Sequence, residues 1–132
     1  MVNQKAFQLP NCGMTNTVIV SHAFKREVKP LAKKYKTLKA SVDTLIEELI
    51  KNPYLGEPYG NNIFKVRLSD ESKGTGKSGG FRVMYYHLNK NEEGIEMLLM
   101  TIFSKSEKST VKKDEAIKKL KDILIEHQKE NL

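Results

Sequence analysis

Three strand-type runs follow one another between Ile63 and Phe103, and they restrict the fold more than any other part of the chain. The first, "IFKVRLS", alternates: Phe64, Val66 and Leu68 face one way, Lys65 and Arg67 the other. The second, "FRVMYYHL" (Phe81 to Leu88), is rich in the aromatic and β-branched residues that suit a pleated, packed surface. The third, "IEMLLMTIF" (Ile95 to Phe103), is nearly all apolar, which predicts a central strand covered on both faces. "KNEEG" (Lys90 to Gly94) is a hairpin turn between the second and third runs. The spacing predicts three consecutive antiparallel strands.

Helical periodicity precedes them. Phe24, Val28, Leu31 and Tyr35 recur at helical spacing, with lysines on the other side, and Pro30 inside the pattern should kink or restart the helix. Thr37 is a candidate N-cap for a second helix with Leu38, Val42, Leu45 and Leu49 as its buried stripe. Lys51, Asn52 and Pro53 end it. The short link between the two predicts an antiparallel helical hairpin. "TVIVS" (Thr17 to Ser21) suits a strand, residues 1–16 read as a flexible extension, and Asn52 to Asn62 as a turn-rich connection. Ser109 or Thr110 caps a last helix with Ala116, Ile117, Leu120, Ile123 and Leu124 on one side. The expectation is an α+β domain over residues 17–132, in the order β-α-α-β-β-β-α: a compact antiparallel sheet packed on the helical hairpin, with a C-terminal helix.

The loop "KGTGKSGG" (Lys73 to Gly80) contains Gly74-x-Gly76-x-x-Gly79, yet it does not meet the requirements of a nucleotide cradle. A phosphate-binding P-loop would need glycine where Glu71 stands, and a helix rather than a strand afterwards. No nucleotide cofactor is expected. Cys12 is the only cysteine, and His22, His87 and His127 lack metal-ligand spacing, so neither an internal disulfide nor a metal site is expected. No run reaches the length of a membrane span and the first residues lack an apolar secretory core, which points to the cytoplasm. The 23 Lys and Arg against 16 Asp and Glu leave a net charge of +7, which favours a polyanionic partner, nucleic acid above all.

Alternation then directs the charge. If Phe64, Val66 and Leu68 pack on the helices, Lys65 and Arg67 project from the opposite, uncovered face. Arg82 starts the next strand beside them, Lys105 and Lys108 follow the third strand, and Lys73 and Lys77 ride on the glycine loop. Few acids are expected nearby. Like charges gathered so closely repel unless an anion sits among them. Tyr85 and Tyr86 are candidates for stacking on bases, or for core positions.

The segments "FKREVKPLAKKY", "IFKVRL", "GGFRVMYY" and "LLMTIFSKSEKS", in this order, resemble the RelE/ParE superfamily of toxin–antitoxin toxins, and most closely its RelE and HigB-like branch. The likeness runs from about Val18 to Glu126, and "GKSGGFRVMYY" is its most specific piece. It implies a type II toxin that cleaves mRNA without a metal, commonly in the ribosomal A site, and that a cognate antitoxin protein neutralises. Carried over by position, Lys65, Arg67, Arg82, Lys105 and Lys108 match basic positions of the family, the first four as candidate catalytic residues and Lys108 as an RNA contact, with Lys73, Lys77 and Lys112 as further candidate RNA contacts. Two departures stand out: Ser106 replaces an arginine, and Lys112 stands nearest to the position of a C-terminal catalytic tyrosine.

Such cleavage uses the ribose 2′-hydroxyl as nucleophile and needs a base, a stabiliser of phosphorane charge and an acid. Arg67 and Arg82 suit the phosphate, Lys65 the base and Lys105 the acid or a second phosphate contact, with Glu107 a weaker candidate base. A ParE-like gyrase inhibitor and a non-catalytic RNA-binding domain are the alternatives.

Overall fold

The alternating runs become paired strands. The computed structural model describes residues 4–8, 15–69, 80–104 and 111–130. Within it, β4 (Ile63–Leu68) pairs antiparallel with β5 (Phe81–Asn91), and β5 pairs antiparallel with β6 (Gly94–Ser104). In the β5–β6 turn the Asn91 side chain accepts the Glu93 backbone N–H at 2.8 Å. The predicted hairpin turn therefore stands.

On its other side β6 pairs with β2 (Thr15–Val20), and the two run parallel, from Thr17 beside Glu96 to Val20 beside Leu99. The sheet is thus mixed, where an antiparallel one was expected. The helical hairpin follows β2 directly and supplies the long crossover that parallel pairing requires.

Two further strands correct the sequence reading. Gln4–Gln8 forms β1, antiparallel to β2, although residues 1–16 were expected to be a flexible extension. Pairing there occupies the outer edge of β2, whose backbone groups would otherwise lack sheet partners. Glu57–Gly60 forms β3, antiparallel to β4, inside the expected turn-rich connection. Asn61 and Asn62 close that hairpin at φ 54 and 64, the left-handed pair that a tight two-residue hairpin turn demands and asparagine tolerates. The strand order is β1-β2-β6-β5-β4-β3.

Helix α1 (His22–Lys34) begins at Ser21, whose side chain accepts the Phe24 N–H at 3.1 Å. It runs unbroken through Pro30, contrary to the expected restart. A proline inside a helix costs about 3 kcal/mol. Here Pro30 sits on the exposed side, where water can serve the carbonyl it leaves without a donor. Helix α2 (Leu38–Lys51) follows with Thr37 at the N-cap position, as predicted, although the Thr37 side chain makes no capping hydrogen bond, and buries Leu38, Val42, Leu45, Ile46, Leu49 and Ile50. Helix α3 (Lys113–Glu130) starts later than expected. The Lys112 carbonyl accepts the Ala116 N–H at 3.0 Å, whereas Ser109 and Thr110 lie outside the described residues.

The sheet is covered on both faces. On one side α1 and α2 pack Phe24, Leu38, Leu45 and Leu49 against Phe64, Val66, Leu68, Val83, Tyr85 and Leu99. On the other, α3 lays Ala116, Leu120 and Ile123 on Ile19, Ile63, Met84, Leu98 and Met100. Two polar clasps tie the layers. Asn16 donates to the Ile50 carbonyl at 2.8 Å and accepts the Ile95 N–H at 3.0 Å, joining the end of α2 to the start of β6. The Glu27 carboxylate accepts from Thr101 Oγ1 at 2.8 Å and Lys119 Nζ at 2.7 Å, and so joins α1, β6 and α3. No described helix is long and apolar enough to cross a membrane.

Under the loop after α2, His87 Nε2 lies 2.8 Å from the Pro53 carbonyl, and its ring stacks 4.2 Å from that of Phe64. Beside it the Tyr85 hydroxyl donates to Pro53 O at 3.0 Å and accepts the Gly56 N–H at 2.9 Å. Burial raises the Tyr85 pKa, and the Gly56 bond opposes that only in part. Burial also pushes His87 below its ordinary 6.5, the bond to Pro53 opposes this, and Lys90 adds to the lowering. The unfolded chain therefore binds the His87 proton more readily than the folded one. This contribution is complete above pH 6.5 and is lost as pH falls from there toward the folded pKa. Urea midpoints measured across that window should fall more steeply for wild type than for His87→Gln; parallel curves would remove His87 as the cause.

Candidate active site

Register, rather than spacing along the chain, builds the basic site. Arg67 lies directly opposite Arg82, and Arg82 in turn opposite Phe103. One step along the sheet, Glu57 pairs with Lys65, and Lys65 with Met84. Cross-strand partners share a face, with β-carbons about 5 Å apart. Arg67, Arg82, Lys65 and Glu57 therefore occupy two adjacent rows of one surface. The apolar partners of β4, namely Phe64, Val66 and Leu68, are buried against α1 and α2, as the alternation predicted.

That surface is not the bare face expected from the sequence. Helix α3 crosses it over Ile63, Met84 and Leu98, because α3 too has an apolar side to bury. The Arg67–Arg82 row lies beyond this crossing, toward the Phe81 end of β5. Arg67 is exposed there and Lys65 half-buried, whereas Arg82 is only 6% exposed. One Arg82 N–H donates to the Phe81 carbonyl at 3.2 Å. Burial lowers the Arg82 pKa most, the positive charge of Arg67 lowers it further, and Glu57 works in the opposite direction. Two guanidinium groups thus stand on opposed residues of one face, one of them buried and the other exposed.

Glu57 corrects the expectation that few acids stand near the cluster. In the sequence "GEPYGNN" reads as a turn; only the β3–β4 pairing brings the Glu57 carboxylate opposite Lys65. The available signal is the Asn61-Asn62 pair, which marks a hairpin and so implies a strand before it. Tyr59 escapes sequence reasoning for the same cause. Its hydroxyl donates to the Val111 carbonyl, and its ring centroid lies 5.4 Å from Lys65 Nζ, within cation–π range. That contact holds the entry to α3 beside β3, and Lys112 is exposed just before the helix. Lys113 lies against Gly60.

The structure brings Lys65, Arg67 and Arg82 together. Lys73, Lys77, Lys105 and Lys108 lie outside the described residues, as do Ser106, Glu107 and Cys12. Tyr85 belongs to the core and is not presented for base stacking, whereas Tyr86 is half-buried against the α3 layer. No protein-family model matches the chain, and no curated protein matches it in sequence.

Proposed function

We propose that this chain is an RNA-cleaving toxin of the RelE and HigB-like kind, an endoribonuclease that acts on mRNA by 2′-hydroxyl attack. The observation that carries this reading is the opposed arginine pair, Arg67 and Arg82, on one sheet face with Lys65 and Glu57 in the next row. Paired guanidinium forks hold the non-bridging oxygens of a phosphodiester and stabilise the charge that grows as the 2′-oxygen adds to phosphorus. Translating mRNA in the ribosomal A site is the substrate that the resemblance suggests. A cognate antitoxin with an acidic segment would neutralise the same surface by competing with phosphate.

As the 2′-oxygen bonds to phosphorus the P–O5′ bond breaks, and the leaving 5′-oxygen takes a proton from solvent; the 2′-hydroxyl proton needs an acceptor, and one cross-strand pair holds both candidates. Carboxylates are bases at neutral pH, whereas an ammonium must first lose its proton. Glu57 is therefore the base in this proposal, and Lys65 a charged phosphate contact. Arginine keeps the charge of lysine but cannot act as a base. Lys65→Arg should accordingly retain most of its cleavage, while Glu57→Gln should lose about a hundredfold, the usual worth of a positioned base. The opposite result, with Lys65→Arg inactive and Glu57→Gln active, transfers the role to Lys65.

Mapping of transcript ends after induction tests the function itself. New 5′ ends inside codons, absent with Arg82→Ala, support it. Intact transcripts accompanied by DNA damage would overturn it in favour of a gyrase inhibitor.

A further inference from the structure

The tip of the helical hairpin carries a second concentration of charge that the site above does not use. Between Lys29 and Lys39 there are five cations and no acid; Lys25 and Arg26 lie at the other end of α1, where Arg26 pairs with Glu126 at 3.6 Å and the acid Glu27 also stands. Glu27 is already engaged by Lys119, Thr101 and the Ile102 N–H. Lys29, Lys33, Lys34, Lys36 and Lys39 are all exposed, and among the described residues no ion pair joins any of them to an acid. The acids of α2 are Asp43, one turn beyond Lys39, and Glu47 and Glu48 late in the helix, while Glu92 and Glu93 stand in the β5–β6 turn.

The position of this tip makes the charge informative. Tyr35, at the end of α1, meets Phe81 edge-on with ring centroids 5.2 Å apart. Phe81 is the first residue of β5, and the next residue is Arg82. The hairpin tip therefore sits at the sheet end where Arg67 and Arg82 emerge, on the other face.

We propose that the hairpin tip is a binding surface for the phosphate backbone of single-stranded RNA, extending the contact beyond the nucleotides held at Arg67 and Arg82. The proposal rests on the RNA-cleaving reading and adds a division of labour. The tip supplies salt-sensitive affinity for a long strand, and the sheet face supplies the chemistry. Short substrates cannot reach both surfaces.

The test replaces Lys29, Lys33, Lys36 and Lys39 together by Ala, all exposed positions outside the core. Binding of a long single-stranded RNA is followed against salt, and cleavage of that RNA and of a trinucleotide is timed. The slope of log affinity against log salt should fall by about 3, at roughly 0.7 for each phosphate that the variant no longer neutralises. Cleavage of the trinucleotide should not change. An unchanged slope in a wild type that cleaves RNA overturns this inference alone. A tip-dependent slope in a protein whose induction leaves transcripts intact supports the surface while overturning the enzyme. Unchanged RNA binding with loss of affinity for an acidic protein segment would assign the tip to a protein partner and overturn the proposal.

Discussion

Replacing Arg82 by alanine is expected to lower RNA cleavage by two to three orders of magnitude and to leave the protein folded. Removing one preorganised donor to a developing oxyanion typically costs about 2–4 kcal/mol of transition-state stabilisation. Arg82 is the buried member of the pair, only 6% exposed, so its guanidinium is less screened than that of Arg67. Stability should change little, for a physical reason. Burial and the opposed Arg67 disfavour its charge while Glu57 favours it, so truncation removes opposing interactions together with the bond to the Phe81 carbonyl. Arg82→Lys should recover only part of the rate, since an ammonium cannot grip two phosphate oxygens as a planar fork does. Single-turnover cleavage of a labelled mRNA, with a thermal melt of each variant, checks both halves. Full activity in Arg82→Ala would remove the arginine pair from the mechanism.

Gly94→Ala should have the converse effect, a large loss of stability at a position remote from the arginines. Gly94 adopts φ +147, and a Cβ built there would lie 1.9 Å from the Thr15 carbonyl oxygen and 3.1 Å from Asn16 Oδ1. Both contacts belong to the start of β2, where Thr15 N–H donates to the Glu93 carbonyl at 2.5 Å and Asn16 clasps Ile95 and Ile50. The new methyl group can be accommodated only if β2 moves away from β6, and then the buried Asn16 bonds stretch. Backbone strain and overpacking together suggest a destabilisation of about 2–6 kcal/mol. The melting temperature should fall by roughly 10 °C or more. An unchanged urea midpoint would show that the β2 start yields without loss.

How far the sequence can be read depends on the range of the interactions involved. Alternation alone places Lys65 and Arg67 on the face opposite Phe64, Val66 and Leu68, because a pleated strand alternates whatever its neighbours do. The stripes of α1 and α2 are legible for the same local reason, and so is the cap position at Thr37. The passage of α1 through Pro30 is not, since it depends on the exposed side of the helix facing water. Nor is Glu57 at the site, because its place follows from pairing in a segment that reads as loop.

By itself the sequence determined which residues turn inward, the α+β order of the principal elements and a basic excess sought by anions. These follow from backbone period and composition, which each segment carries locally. Only the tertiary structure decided that β2 joins β6 in parallel, that α3 covers part of the basic face, and that Glu57 stands opposite Lys65. Those choices rest on which apolar surfaces find each other across the sheet, and no single segment encodes that.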